Sequence, residues 1–95
     1  MDLNSKIKLK PTSKKKLKNI SNEIKYLVLH NDDFNTFEFV INSLIEICHH
    51  DKIQAEQCTF IIHFKGKCDI KVGEYDYLKS LKKKLKNKGL KVTIE

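Results

Sequence analysis

Tyr26-Leu-Val-Leu-His-Asn-Asp-Asp-Phe-Asn-Thr-Phe-Glu-Phe-Val40 runs from strand to polar turn to capped helix without a spacer. Tyr26 to His30 is a short apolar run with an aromatic and a β-branched residue, which predicts a strand over about Lys25 to His30. Asn31-Asp32-Asp33 breaks that run, because Asn and Asp side chains bond locally to the backbone and favour turns. Asn35 then stands where a helix would be capped, with Glu38 three residues on reaching back as in a capping box. Asp32 and Asp33 put negative charge where a helix N-terminus favours it. From there Phe37, Val40, Ile41, Leu44, Ile47 and Cys48 recur at the spacing of one buried helical face, so a helix is predicted over about Thr36 to His50. Taken alone, this is an ordinary strand-turn-helix unit whose acids cap and solubilise.

Downstream, Ile53 to Phe64 stays open between two readings. Ile53, Cys58, Ile61 and Ile62 fit a helix, while Phe60-Ile-Ile-His-Phe64 on its own fits a strand. Gly66 follows as a helix C-cap or a turn residue, and Cys68, Ile70 and Val72 alternate with Asp69 and Lys71 as a half-buried strand does. Glu74 to Lys88 places Tyr75, Leu78, Leu81 (or Lys82) and Leu85 at helical spacing, carries Lys in its last turn and stops at Gly89. Leu90, Val92 and Ile94 alternate as a last strand. Upstream, residues 1–25 combine Lys, Ser, Asn and Thr with Pro11 and too few apolar residues for a core-facing stripe, so they are expected to form a flexible basic arm. The expected fold is α+β: one small domain over residues 26–95 in the order β-α-α-β-α-β, a three-stranded antiparallel sheet covered by helices that bury its apolar face.

The 95 residues carry a net charge of +7 in three blocks. Residues 1–25 hold eight Lys against Asp2 and Glu23, residues 26–78 hold four Lys against nine acids, and residues 79–95 hold seven Lys against Glu95 alone. Lysine-rich ends raise the alternative of a small nucleic-acid- or ribosome-associated module. All nineteen cations are Lys, however, and without Arg or interleaved aromatics base-specific contacts lack their usual residues, so a solvated surface is favoured. Cys48, Cys58 and Cys68 are odd in number and lie in apolar patterns, which argues for reduced core thiols rather than a disulfide framework. No apolar run has the length of a membrane span, and the Lys-rich start is not followed by an apolar signal core, so a cytoplasmic protein is expected.

Chemistry-bearing residues are sparse. Asp32 and Asp33 lack the second carboxylate cluster, nucleophile or water-activating His that hydrolysis would need. Cys48-His49-His50 with Cys58, His63 and Cys68 has metal-ligand residue types but no paired ligand spacing, so neither a metal nor another cofactor is expected. His63, between Ile62 and Phe64, reads by default as a histidine at the core edge.

Two of these segments together change the reading. Asn31-Asp-Asp-Phe-Asn-Thr-Phe-Glu-Phe-Val40, followed at matching distance by Ile62-His-Phe-Lys-Gly-Lys67, resembles the ClpS family of adaptor proteins, with its N-D-D turn, a helix opening through E-F-V, and a later V-H-x-x-G. The resemblance extends from Tyr26 to Glu95. It implies that Ile53 to Phe64 is helical and that the protein is a monomeric adaptor, not an enzyme. Members of the family bind proteins that begin with Leu, Phe, Tyr or Trp and deliver them to a Clp-type AAA+ unfoldase, docking on the N-terminal domain of a ClpA- or ClpC-like partner. By the same resemblance Asn31, Asp32 and His63 would hold the α-amino group, and Phe37, Val40, Thr59, Ile62 and Leu90 would form the side-chain pocket. Glu74, Asp76 and Lys79, at the start of the last helix, would meet the unfoldase. Phe37 and Thr59 stand where the family commonly has Met, a stiffer ring and a hydroxyl in place of two adaptable thioethers. The basic arm takes the place of the family's flexible N-terminal extension.

Overall fold

The computed structural model describes residues 23–95, which run β1 (Lys25–His30), α1 (Phe37–Cys48), α2 (Lys52–Lys65), β2 (Lys67–Gly73), α3 (Tyr75–Asn87) and β3 (Lys91–Ile94). The arm expected over residues 1–25 lies outside the described residues apart from its last few. β1 is the central strand: the sheet order is β2-β1-β3 and both neighbours are antiparallel to it. Its sequence suits that position, because Leu27, Val28 and Leu29 are all buried although successive side chains point to opposite faces, so both faces of the strand are covered.

The ambiguous segment is the helix α2, and its ends show why. Asp51 caps it, its carboxylate accepting from Gln54 N at 2.7 Å. Gly66 closes it at φ +94, a left-handed conformation that favours glycine, while its N–H donates to Ile62 O. End chemistry thus decides what periodicity leaves open.

α1 begins one residue later than the capping-box reading has it. Thr36, not Asn35, is the N-cap, its hydroxyl accepting from Phe39 N at 3.0 Å. Glu38 therefore occupies the second helical position and stands in the first turn without closing a capping box. The helix also ends at Cys48, where His49 turns left-handed at φ 59, rather than at His50.

The core gathers Leu27 and Leu29 of β1, Leu44, Ile47 and Cys48 of α1, Ala55, Cys58 and Ile62 of α2, Ile70 of β2, Leu78, Leu81 and Leu85 of α3, and Leu90 with Val92 around β3. All three cysteines are free thiols, two of them buried. The α1 stripe is buried only in its C-terminal half: Val40 and Ile41 are half-buried and Phe37 is exposed, so its first turn leaves apolar surface open. His50 is buried beneath this layer and its Nε2 donates to Ile70 O at 2.7 Å. Ile70 sits at the irregularity of the β1–β2 ladder, where pairing steps from Leu27↔Lys71 to Val28↔Asp69. The bulge frees a strand carbonyl, and His50 uses it to tie the α1–α2 connection to the sheet.

Candidate functional site

β1 ends at His30 and the chain turns through Asn31–Asn35 before α1. Asp32 organises that turn. Its Oδ1 accepts from the backbone N–H of Phe34 and of Asn35, each at 2.8 Å, and its Oδ2 accepts from Asn35 Nδ2 at 2.8 Å. Partial burial raises the Asp32 pKa, but the hydrogen bonds from Asn35 and Phe34 outweigh it and hold the carboxyl below its ordinary value. Asp32 therefore keeps its negative charge and its orientation. The turn is anchored at two further points. Asn31 N donates to Gly66 O at 2.8 Å, which seats it against the end of α2, and Asn35 Nδ2 donates to Gly89 O at 3.1 Å, which ties it to the loop before β3.

Because Gly66 closes α2, the Asn31–Gly66 bond also brings the turn beside His63, one helical turn earlier. Between them lies a cavity of about 280 Å³. Asn31, Asp32, Asp33, Asn35 and His63 form its polar side, and Phe37, Val40, Thr59 and Ile62 its apolar side. His63 is exposed, and among the described residues the rings it meets are those of Phe37, centroids 6.2 Å apart, and Phe64, 5.2 Å apart. Its nitrogens and the Asn31 side-chain amide have no hydrogen-bond partner among the described residues, so both are free to bind a ligand. Thr59 is buried and its hydroxyl donates to Ala55 O at 2.7 Å. The hydroxyl is thereby satisfied by the helix backbone, so the deep wall of the cavity makes no polar demand on a guest. Phe37 meets Phe60 edge-on with ring centroids 5.0 Å apart, which fixes one rim of the opening.

Of the residues singled out from sequence, Asn31, Asp32, His63, Phe37, Val40, Thr59 and Ile62 come together around this one cavity. Leu90 does not line it. At 4% exposure it lies in the core cluster with Val92, just before β3. Asp33 and Asn35 line the cavity and were read only as charge and cap. The signal for Asn35 was present in the Asp-x-x-Asn spacing, which lets a carboxylate bond both the backbone and the side chain of the residue three positions on. Glu74, Asp76 and Lys79 are exposed at the start of α3, away from the cavity, and Glu74 makes no side-chain capping bond. No group of three or more His, Cys, Asp or Glu among the described residues is placed to hold a metal ion. No helix among them is long and apolar enough to cross a membrane.

A family model described as "ATP-dependent Clp protease adaptor protein ClpS" matches residues 21–93. The chain is similar to the ATP-dependent Clp protease adapter protein ClpS of Acetivibrio thermocellus, with 35% identity over 54 residues, 57% of this chain and 54% of that protein. It is also similar to the adapter protein of the same name from Clostridium acetobutylicum, with 42% identity over 40 residues, 42% of this chain and 40% of that protein. These alignments span about half the length of the curated relatives or less. Among solved structures, Agrobacterium tumefaciens ClpS2 bound to L-phenylalaninamide shares the fold at a TM-score of 0.75 and 22% identity, over 79% of this chain and 98% of that one. With a family model matched over residues 21–93, the chain belongs to the ClpS family.

Proposed function

We propose that this protein is a non-catalytic adaptor that captures proteins by a free N-terminal residue with a large apolar side chain, Leu, Phe, Tyr or Trp, and delivers them to a Clp-type AAA+ unfoldase. The observation that carries this reading is one cavity with a polar, anionic mouth and an apolar wall. A terminal amino group has a pKa near 8 and is mostly cationic at neutral pH, so its recognition calls for acceptors and negative charge. Asp32 supplies the charge, Asn31 Oδ1 and a His63 ring nitrogen the acceptors, and Phe37, Val40, Thr59 and Ile62 take the side chain. The L-phenylalaninamide bound by Agrobacterium tumefaciens ClpS2 combines those two features, an amino group and an aromatic side chain.

The magnitudes are consistent with capture and release. A hydrogen bond to a charged group contributes about 1.5–3 kcal/mol and a buried large apolar side chain about the same. Two or three of the former with one of the latter reach micromolar affinity, about 8 kcal/mol, provided the site is held ready in advance. The Asp32 bonds and the two anchors of the turn supply that readiness. Glu74, Asp76 and Lys79 are the surface through which the unfoldase's N-terminal domain would be met.

The test is fluorescence anisotropy of labelled peptides that begin with Phe, Leu, Tyr, Trp, Arg or Ala, with an N-acetylated Phe peptide as control. Large apolar N-termini are expected to bind, and acetylation or Asp32→Ala to abolish binding. Equal binding of the acetylated peptide would sink the reading.

A further inference from the structure

The cavity mouth continues into an uncovered aromatic surface. Phe60 is 52% exposed and Phe64 74% exposed on the outer face of α2, one helical turn apart and stacked, with centroids 6.1 Å apart and planes within 7°. This pair is joined to the cavity at both ends. Phe60 meets the edge of Phe37 and Phe64 meets the edge of His63, and both Phe37 and His63 line the cavity. The four rings thus form one shelf that begins at the cavity wall and runs out along α2. Neither Phe60 nor Phe64 belongs to the core cluster, so fold stability does not account for two large rings held in water.

We infer that this shelf is a second subsite, taking an apolar or aromatic side chain from one of the two residues just behind the N-terminal residue of the captured protein. The inference rests on the proposed N-terminal capture and goes beyond it by extending selectivity past the first residue. Reach and alternation support that occupant. With the first side chain in the cavity and its amino group at Asn31, Asp32 and His63, the shelf takes a peptide that leaves over the Phe37–His63 rim, where the two rings stand 6.2 Å apart. An extended chain advances roughly 3.3 Å per residue and alternates its side chains. The third residue therefore faces the protein again about 7 Å beyond the first, which is the scale of the 5.0–6.1 Å steps between the shelf rings. Stacked or edge-on ring contacts would then favour an aromatic residue there over glycine by roughly three- to tenfold.

The experiment measures Kd by anisotropy for free-amino Phe peptides that carry Phe, Leu, Gly or Asp at the second or third position, each with an N-acetylated counterpart. Wild type is compared with Phe60→Ala/Phe64→Ala, two exposed positions whose truncation leaves the core intact. An aromatic-over-glycine gain at either position that collapses to a ratio of about one in the double variant supports the shelf. Equal Kd across the series overturns the shelf while leaving N-terminal capture standing, and so does a gain that survives the double substitution. Loss of the distinction between free and acetylated peptides overturns both.

Discussion

Asp32 shapes its turn with the same carboxylate that the proposed function assigns to an incoming ammonium, and the two roles would constrain each other. Its oxygens are engaged by Phe34 N, Asn35 N and Asn35 Nδ2, so the charge that would meet an incoming ammonium is also the charge that shapes the turn. Since the folded pKa lies below the ordinary value of about 3.9 and the unfolded one near it, folding favours the ionised form. The stability contributed by this group is fully present above about pH 4 and is lost as pH falls through that value toward the folded pKa. Urea melts of wild type and Asp32→Asn at pH 7 and at pH 3 should therefore differ more at pH 7 than at pH 3, and an equal difference would remove the turn bonds as its cause. Other residues are quieter than their chemistry suggests. Burial pushes the Cys48 thiol up to about 11, and burial together with the nearby Cys58 and Asp69 pushes Cys68 up to about 12, so neither is a ready nucleophile at neutral pH. At this scale the sequence was legible wherever a residue type has one main use. Asp32 was readable as a turn acid, whereas His63 read only as a core-edge histidine until the resemblance gave it a place beside Asn31, and Leu90 was not readable as core, because strand alternation names a face without saying what that face meets.

The first turn of α1 is where the elements and the site touch. Thr36 caps the helix, while Asn35 leaves the helix alone and links Asp32 to Gly89. The two neighbours should accordingly separate in experiment. Thr36→Ala is expected to lower stability in urea by about 1 kcal/mol with peptide binding retained, and Asn35→Ala to weaken peptide binding by loosening the turn. If Thr36→Ala had no effect and Asn35→Ala cost the helix, the cap would belong to Asn35 after all. One residue of uncertainty in a cap is ordinary from sequence, since Asn and Thr are both good caps and adjacent here. For α2 the ambiguity had a different source. An apolar run that is half core and half exposed shelf fits neither a clean helical face nor a strand alternation, and only Asp51 and Gly66 at its ends separate the two. The outer face of α2 was illegible for the same reason: Phe60 and Phe64 look like core in a sequence and are not.

Over the whole molecule, charge is segregated along the sequence, and two of its acids, Asp32 and Asp33, line the cavity. Nine of the twelve acids lie in residues 26–78, and the lysines concentrate before and after that block, several of them on the exposed side of α3. This separates the adaptor reading from a nucleic-acid one through ionic strength. Capture of a single ammonium should change Kd by no more than about threefold between 50 and 200 mM salt, whereas a protein making 6–10 phosphate contacts would lose on the order of a thousandfold or more. A slope of the second kind would move the function to the lysine surface. The α+β topology was legible from its patterns and stop signals except at α2, which the residues left open and the resemblance made helical. The cavity was not, because it depends on a bond between Asn31 and Gly66, residues that α1 and α2 hold far apart in sequence. That bond has a consequence for synthesis. A chain released from the ribosome before residue 66 would carry the Asn-Asp-Asp turn and all of α1 without the carbonyl that seats them beside His63. Such a fragment could not form the cavity, so whatever the finished protein holds there, truncated copies would leave alone.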